Sequence, residues 1–353
     1  MNNKHSNTSN DSSALTGVSQ LSSAFLAHTA APLLDISVII VSWNARRFLE
    51  ECLDSLTRGV SRSFEVIVVD NASTDGSPEM VASGYPWVTL IQTGENLGFS
   101  RGNNVGIKRS RGKYIALVNS DVNVSPGCLD RLASFLDNHS DVGMVGPKIT
   151  YGDRRTQSSC RRLPSLWNNA CEVFCLNKLF PRSECFAGEH MFYFSYDHTR
   201  EVEVLVGCFI LARRDAVTQF GLLDENFWMY GEDIDWCHRC RQAGWKVMFY
   251  PCAEAVHYCG GSSSSDPGRF ALAQQQARLQ FWAKYRSWLA QSGLIVLLTS
   301  QCCLRLLASG VEPIIMRSRR RSTASRARTQ IACLRALWGK LFFRSSSETR
   351  GHL

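Results

Sequence analysis

Residues 36–118 alternate short β-branched runs with amphipathic stretches, and no other feature of the chain constrains its fold as strongly. Four apolar runs bounded by polar residues are predicted to be strands buried on both faces, at residues 36–41, 64–69, 88–91 and 113–118. Regular alternation of strands and helices favours right-handed βαβ units. The sequence therefore predicts an open, doubly wound, mostly parallel α/β sheet, whose ligands bind beyond the carboxyl ends of the strands.

Helices are predicted between these strands, at residues 75–82 and 100–109 and directly after the first strand. Asn44 is the predicted N-cap of this first helix. Its predicted buried stripe consists of Phe48, Leu49, Cys52, Leu53 and Leu56.

The second half of the domain is less regular. Residues 146–202 contain Pro164, Pro181 and many aromatic residues, which indicates a long irregular excursion from the core. Three predicted elements follow this excursion: a strand at residues 203–212 that is interrupted by Gly207, a helix from Glu232 that stops at Gly244, and a strand at 246–250.

The length of 353 residues is sufficient for one α/β domain with appendages at both ends. Residues 1–34 are rich in Ser, Asn, Thr and Ala and lack the pattern of a signal peptide, so we predict a disordered leader. The predicted domain occupies residues 35–265. A C-terminal helical region at 266–316 and a basic tail at 317–353 are predicted to follow it.

The cysteines raise the question of disulfides or metal. Fourteen cysteines are scattered along the chain without a secretory signal, which favours reduced thiols in a cytoplasmic setting. Cys237 and Cys240, with Cys252, His257 and Cys259 downstream, have the residue types of a zinc site. However, Cys237 and Cys240 fall inside a predicted helix, whereas structural zinc sites use a tight turn between paired thiolates. We therefore predict that both thiols pack in the core.

The C-terminal region has the features of a membrane anchor. Residues 287–304 contain no charged residue and are bracketed by Arg286 and Arg305. Residues 317–353 carry ten Lys or Arg residues and one acidic residue, so the formal net charge of +8 belongs to this tail. The apolar segment has about the minimum length of a span but contains several polar residues, so a spanning helix and an interfacial helix both remain open. An apolar helix followed by an Arg cluster indicates the cytoplasmic face of the cytoplasmic membrane.

Polar residues occur where the predicted sheet would bind a ligand. Asp70 and Asn71 follow the second strand, and an Asn-Ser-Asp motif at residues 119–121 follows the fourth. Three more carboxylates, Glu232, Asp233 and Asp235, open the helix at 232, where the helix dipole alone would favour acidic residues. The presence of these carboxylates together with His257 indicates one shared functional site.

Seven segments in order resemble the GT-A-fold, family 2 glycosyltransferases, and within them the bacterial rhamnosyltransferases. The resemblance covers about residues 35–290. Its segments are VSWN (41–44), VVDNASTDGS (68–77), NLGFSRGNNVGI (96–107), LVNSDV (117–122), VGCFILARRDA (206–216), FWMYGEDIDWCHRCRQAGW (227–245) and VHYCGGSS (256–263).

The resemblance implies a binding site for a nucleotide-sugar donor. It implies that Asp70 accepts a hydrogen bond from the imide N–H of a pyrimidine base. The other implied donor-binding residues are Ser42, Asn44, Asn71, Asn96, Gly98, Arg101, Asn103 and Asn119. A small residue is expected at position 101, so Arg101 is interpreted either as a phosphate ligand or as a solvated helix residue.

The resemblance also implies a divalent cation, Mg²⁺ or Mn²⁺, on the donor diphosphate. Asp121 corresponds to the family's metal-binding carboxylate, and His257 to a second ligand of the metal or the diphosphate. Many family members carry Asp-x-Asp where this chain has Asn119-Ser120-Asp121, which makes metal dependence a point for experiment.

Asp233 corresponds to the catalytic base, which takes the proton from the acceptor hydroxyl in an inverting transfer. Asp235 is predicted to face the helix surface. The remaining implied residues lie on the acceptor side. Glu232 either positions the acceptor or supports the base, Gly207 and Cys208 contact the acceptor sugar, and Trp228 and Tyr230 either stack on it or belong to the core.

The function implied is an inverting glycosyltransferase that transfers L-rhamnose from dTDP-L-rhamnose. The acceptor would be a hydroxyl of a cell-surface polysaccharide or of a lipid-linked saccharide, at a membrane surface and without nucleic acid. A nucleotidyltransferase would require a glycine-rich phosphate loop near the first strand, where VSWNARR stands. A non-catalytic membrane- or nucleic-acid-binding protein would not need Asp70, Asp121 and Asp233.

Overall fold

The structure, a computed structural model, describes residues 34–258, 267–315 and 330–335. The predicted leader, the predicted domain end near residue 265 and most of the predicted basic tail lie outside these residues.

The β-strands form one large sheet and a small second one. The strands are β1 Leu34–Ser42, β2 Phe64–Asp70, β3 Val88–Gln92, β4 Gly112–Val118, β5 Val122–Val124, β6 Val142–Thr150, β7 Cys160–Arg161, β8 Arg200–Glu201, β9 Val204–Leu205, β10 Phe209–Arg213 and β11 Lys246–His257. The large sheet has the order β3-β2-β1-β4-β10-β6-β11-β5, with β8 also paired to β11, and β7 pairs with β9 separately. Within the large sheet, β1, β2, β3, β4, β6 and β11 run in one direction and β5, β8 and β10 in the other. The prediction of a mostly parallel sheet is confirmed.

Helices cover both faces of the large sheet. They are α1 Arg46–Thr57, α2 Ser77–Gly84, α3 Gly98–Arg109, α4 Cys128–Asn138, α5 Leu166–Val173, α6 Leu176–Leu179, α7 Arg214–Phe220, α8 Glu232–Gln242, α9 Pro267–Tyr285 and α10 Trp288–Ile315. Side chains of α1, α2 and α4 pack on one face, and those of α3, α7 and α8 on the other. Because successive strand residues point to opposite faces, Val38 and Ile40 belong to the first core and Ile39 to the second.

Several predicted elements differ from the structure. Asn44 is not the N-cap of α1: Ala45 holds that position, and the Asn44 side chain accepts a hydrogen bond from the Thr74 N–H at 2.8 Å. The predicted strand at 203–212 is two strands, β9 and β10, which belong to different sheets and are separated at Gly207.

Two strands are longer than predicted. Residues 146–150, predicted to be irregular, complete β6, which pairs with β10 and β11 inside the sheet. The last strand continues beyond residue 250, so His257 is its final residue and does not follow it. Pairing with β5 and with the end of β6 supplies the partners for this added length.

The C-terminal helices belong to the folded domain. Leu294 and Leu298 of α10 are buried in a third apolar cluster, with Phe281 and Trp282 of α9 and Phe227. Removal of α10 would therefore expose core side chains of the domain, in addition to removing any contact between α10 and a membrane.

The prediction that Asp235 faces the helix surface was wrong: this side chain is buried and anchors α9. Its side chain is fully buried and accepts hydrogen bonds from Arg239 Nε at 2.8 Å, Lys284 Nζ at 2.6 Å and the Tyr285 hydroxyl at 2.6 Å. Lys284 also contacts Asp224 at 2.7 Å. The helix of the predicted base is thus tied directly to α9.

We expect replacement of both Cys237 and Cys240 with alanine to leave activity intact. Both thiols are buried in α8, and burial raises the pKa of the Cys240 thiol to about 12, which disfavours the thiolate that binds zinc. The loss of two small buried groups should cost less than about 2 kcal/mol of unfolding free energy. Denaturant titration and metal analysis check this. Stoichiometric zinc that is lost together with folding on chelation would contradict the core assignment.

Candidate active site

Several buried oxygen atoms lie without hydrogen-bond partners where β1, β2 and β4 end and α3 begins. They belong to Ser42, Asp70, Asn71, Ser100 and Asn119. Ser42 and Asp70 are adjacent in register at the ends of β1 and β2, and Asn71 Nδ2 donates to the Gly98 carbonyl at 3.0 Å. Buried polar atoms are normally hydrogen-bonded. A group of buried acceptors in one region therefore suits a ligand that donates hydrogen bonds.

Asp70 combines a structural contact with an unused acceptor. Its Oδ2 accepts from the Ser73 N–H at 3.0 Å and so stabilises the loop after β2, while its buried Oδ1 has no partner. Asn44 is exposed and holds the same loop through Ser73 and Thr74. Asp70 is therefore placed to bind a ligand, and Asn44 to support the loop around it.

Gly98 brings α3 against the loop before α8. Its N–H donates to Asn96 Oδ1 at 3.0 Å, and the next N–H, of Phe99, donates to the Trp228 carbonyl at 2.8 Å. Gly98 has φ of +78°, and a methyl group added there would lie 2.3 Å from the Trp228 carbonyl oxygen. The position requires glycine for its backbone conformation and for this close approach.

The other two predicted donor residues on α3 are placed differently. Asn103 is buried, and its Nδ2 donates to the Phe99 carbonyl at 2.9 Å. Arg101 is exposed and its Nε lies 3.8 Å from Glu225 Oε2. Arg101 is therefore on the solvent side of α3, which matches its interpretation as a solvated helix residue.

We expect Gly98→Ala to destabilise the fold and weaken nucleotide binding together. The added methyl group would meet Trp228 and force an unfavourable positive φ, at a cost of about 2 kcal/mol or more. Thermal unfolding and nucleotide titration measure the two effects. Gly84→Ala is the matched control, since nothing lies within 4 Å of a methyl group added at that position. A Gly98→Ala protein that matches this control would contradict the close packing.

Asp121 and His257 lie side by side. Asp121 Oδ1 is 3.1 Å from His257 Nε2, and the Tyr258 N–H donates to the Asp121 carbonyl at 3.0 Å. Gln157 Oε1 is 3.0 Å from His257 Nδ1 and orients the ring. A carboxylate and an imidazole in contact fit two protein ligands of a divalent cation whose other ligands are phosphate oxygens and water. Among the residues that the structure describes, no cluster of three or more His, Cys, Asp or Glu side chains suits a metal.

Asp233 is held at the start of α8. Gly207, between β9 and β10, donates its N–H to Asp233 Oδ2 at 3.0 Å, and the Ile234 N–H donates to Oδ1 at 2.8 Å. Burial, and next the charge of Asp233, raise the pKa of Glu232 well above its usual range. Glu232 is therefore held in the protonated form more strongly than an ordinary glutamate, while Asp233 is partly exposed.

Backbone contacts connect this carboxylate with the strand ends. The Asn119 N–H donates to the Cys208 carbonyl at 2.9 Å, one residue after Gly207. A methyl group added at Gly207 would lie 3.7 Å from the Phe99 ring and 3.3 Å from Asp233 Cβ. The structure thus brings Asn119, one of the predicted donor residues, close to the predicted base.

A cavity of about 370 Å³ opens beside Asp233 and Tyr230. Its polar lining includes Arg161, Glu172, Glu189, His190 and Arg278, none of which the sequence pattern indicated. Arg278 Nη2 lies 3.8 Å from Glu172 and 3.9 Å from Glu189. Burial, followed by the charge of Arg161, lowers the pKa of His190 to about 4. Neutral imidazole, carboxyl and guanidinium groups together suit a ligand rich in hydroxyl groups.

The chain is similar to known glycosyltransferases. Residues 37–217 match the profile of Glycosyl transferase family 2. The chain is 30% identical over 268 residues to the N-acetylglucosaminyl-diphospho-decaprenol L-rhamnosyltransferase of Mycobacterium tuberculosis H37Rv. This alignment covers 72% of this chain and 86% of that protein. It is 23% identical over 227 residues to the low-salt glycan biosynthesis hexosyltransferase Agl10 of Haloferax volcanii, in an alignment that covers 63% of this chain and 67% of that protein.

The fold has a counterpart among solved structures. The mannosyltransferase PcManGT of Pyrobaculum calidifontis, solved with GDP-Man and Mn²⁺, superposes with a TM-score of 0.51 at 19% identity and covers 93% of this chain and 98% of that chain. This likeness shows a shared GT-A architecture. With the profile match over half of the chain, it establishes that the chain belongs to glycosyltransferase family 2 and has the GT-A fold.

Proposed function

We propose that this protein is an inverting glycosyltransferase that moves L-rhamnose from dTDP-L-rhamnose to a hydroxyl of a lipid-linked saccharide. The observation that carries the reaction type is the convergence of two sites: buried, unpartnered oxygens at the strand ends and the Asp233 carboxylate in the lining of a cavity with several polar side chains. A donor and an acceptor would meet between them.

On the donor side, Asp70 accepts a hydrogen bond from the pyrimidine imide through its buried Oδ1. Ser42, Asn71 and Asn119 offer further acceptors to the nucleoside and sugar hydroxyls. The glycine at position 98 allows the start of α3 to pack against Trp228 beside these acceptors. Asp121 and His257 would hold Mg²⁺ or Mn²⁺, which when bound neutralises charge on the leaving nucleoside diphosphate.

On the acceptor side, Asp233 takes the proton from the acceptor hydroxyl as its oxygen forms a bond to the anomeric carbon. The bond from that carbon to the diphosphate oxygen breaks on the opposite face, so the configuration inverts. Gly207 fixes the orientation of the base through its N–H. Glu232, which is buried next to Asp233 in the chain, supports it, and Tyr230 lines the acceptor cavity.

The identity of the substrates rests on the mycobacterial relative. Its name specifies transfer of L-rhamnose to N-acetylglucosaminyl-diphospho-decaprenol, and it aligns with most of this chain. A lipid-linked acceptor implies work at a membrane, and α10 includes a segment, Trp288–Leu307, that is long and apolar enough to cross one. We place the protein at the cytoplasmic face of the cytoplasmic membrane.

A panel of nucleotide sugars tests the donor. A ligand that binds the folded state at about one hundred times its Kd adds about 2.7 kcal/mol of stability. We expect dTDP-L-rhamnose with Mg²⁺ to raise Tm by more than UDP- or GDP-sugars do. A larger rise with another nucleotide sugar would replace rhamnose as the donor, and no rise with any of them would contradict the donor site.

A further inference from the structure

We propose that α5, α6 and the outward face of α10 form one apolar platform that inserts into the interface of an anionic membrane, so that α10 lies in the membrane plane and does not span it. The platform consists of Trp167, Phe174, Leu179, Phe180, Leu289 and Val296. This inference rests on the proposed function at a membrane, and it specifies which surface of the protein contacts the membrane and how α10 is oriented there.

The platform side chains are exposed to an unusual degree. Each of the six is at least half exposed, although all are large and apolar. Monomeric soluble proteins rarely expose contiguous apolar patches of this kind, and those that do use them for binding. The exposed apolar side chains of residues 166–180 therefore indicate a binding surface, as those of α10 do.

Contacts make the two parts one surface. Leu289, Gly293 and Val296 follow one another at i, i+4 and i+7 on the same face of α10. A methyl group added at Gly293 would lie 3.3 Å from Leu166, so α5 packs beside this face. Trp167 is the next residue on α5.

The loop after α6 extends the same surface. The rings of Trp167 and Phe180 both contact Phe186, with centroids 5.9 and 5.2 Å away. The apolar surface therefore continues from α10 across α5 to the end of α6.

The opposite face of α10 argues against a span, because it packs on the domain. Leu294, Leu298 and Cys302 are buried, and the two leucines pack against Phe281 and Trp282 of α9. Charged side chains are costly in the hydrocarbon core of a bilayer. Here one side is covered by a domain with charged groups, which cannot enter hydrocarbon. A helix with one face on a domain and one face exposed has the arrangement of an interfacial helix.

Charge favours an anionic bilayer over an apolar protein partner. Lys178 of α6 and Arg182 of the loop after it are exposed, with one exposed acidic residue, Glu184, in the same loop. Residues 317–353, downstream of α10, contain ten Lys or Arg residues and one acidic residue. Basic groups next to an anionic surface each add to binding, and tryptophan prefers the interface.

The platform also bears on access to the base. Leu298, Gln301 and Arg305 of α10 and Glu172 of α5 line the cavity that contains Asp233. The same two helices would therefore contact the membrane and form walls of the acceptor site. A lipid-linked acceptor could reach Asp233 while its lipid remains in the bilayer.

Vesicle flotation of the full-length protein tests the platform. The probes are phosphatidylcholine vesicles with and without phosphatidylglycerol, and no donor or acceptor is added, so the outcome does not depend on transferase activity. We expect Phe174→Ser/Phe180→Ser and Leu289→Ser/Val296→Ser each to lower binding by about tenfold or more, because each removes two exposed apolar side chains. Trp87→Ser is the control, since Trp87 is an exposed apolar side chain beside β3.

The orientation has its own test. We expect alkaline carbonate to release the protein from cell membranes, as it releases interfacial proteins. Retention after this wash would show a spanning helix and overturn the proposal. Unchanged vesicle binding of Phe174→Ser/Phe180→Ser would also overturn it, because the platform would then not include α5 and α6. Donor binding by these variants is measured separately. If it is intact, retention after the carbonate wash or unchanged vesicle binding would overturn only the membrane proposal and not the proposed transferase function.

Discussion

Replacement of Asp233 with asparagine is expected to abolish sugar transfer while the affinity for the nucleotide donor stays nearly unchanged. The Asp233 carboxylate lies at the acceptor cavity and receives the Gly207 N–H at 3.0 Å, whereas the unpartnered oxygens of the donor site belong to other residues. Asparagine has a similar shape but cannot take the acceptor proton. General-base catalysis typically contributes about 10²- to 10⁴-fold, and we expect kcat to fall by that factor.

Two measurements separate this effect from a loss of structure. Thermal unfolding and donor titration of Asp233→Asn should match the wild type, and Asp215→Asn, an exposed carboxylate in the first turn of α7, should retain full activity. A variant that kept more than about a tenth of the wild-type kcat would show that Asp233 is not the base.

Replacement of Asp121 with alanine is expected to weaken nucleoside diphosphate binding and to remove its dependence on divalent cation. The carboxylate contacts His257 at 3.1 Å, and the two side chains are the proposed protein ligands. Loss of one of two protein ligands should lower nucleotide affinity by about tenfold or more in the presence of Mg²⁺. Calorimetric titration of the nucleoside diphosphate with Mg²⁺, Mn²⁺ or EDTA measures this.

The control is Asp153→Ala, which removes an exposed carboxylate near the end of β6 and should bind nucleotide as the wild type does. Wild-type affinity that is the same with Mg²⁺ and with EDTA would remove Asp121 and His257 from the proposed metal site. The asparagine at position 119, in place of a family aspartate, would then mark a site that binds its donor without a cation.

The sequence predicted the elements whose pattern is local. Strands β1 to β4 begin and end within two residues of their predicted limits, because each is an apolar run that is bounded by polar residues. In contrast, residues 146–202 contain two-residue strands and short helices that long-range contacts hold. The Tyr196 hydroxyl, for example, accepts from the Cys160 N–H at 3.1 Å across 36 residues.

The same distinction explains the site. The family motifs indicated residues at strand ends and at the start of α8, and the structure brings Asn119, Gly207 and Asp233 into one region. Helical position alone could not show that Asp235 is buried, because its partner Lys284 lies 49 residues away on α9. The cavity residues from α5 and α9 carry no motif, so only the fold reveals them.

Transfer of a radiolabelled sugar to lipid tests the central claim most directly. The purified full-length protein would be incubated with Mg²⁺, labelled dTDP-L-rhamnose and N-acetylglucosaminyl-diphospho-decaprenol, and the organic phase counted. Our account predicts label in the lipid with the wild type, inversion at the anomeric carbon by NMR, and no label with Asp233→Asn. Absence of transfer from dTDP-L-rhamnose and from every other nucleotide sugar in the panel, by a folded protein that binds nucleotide, would contradict it.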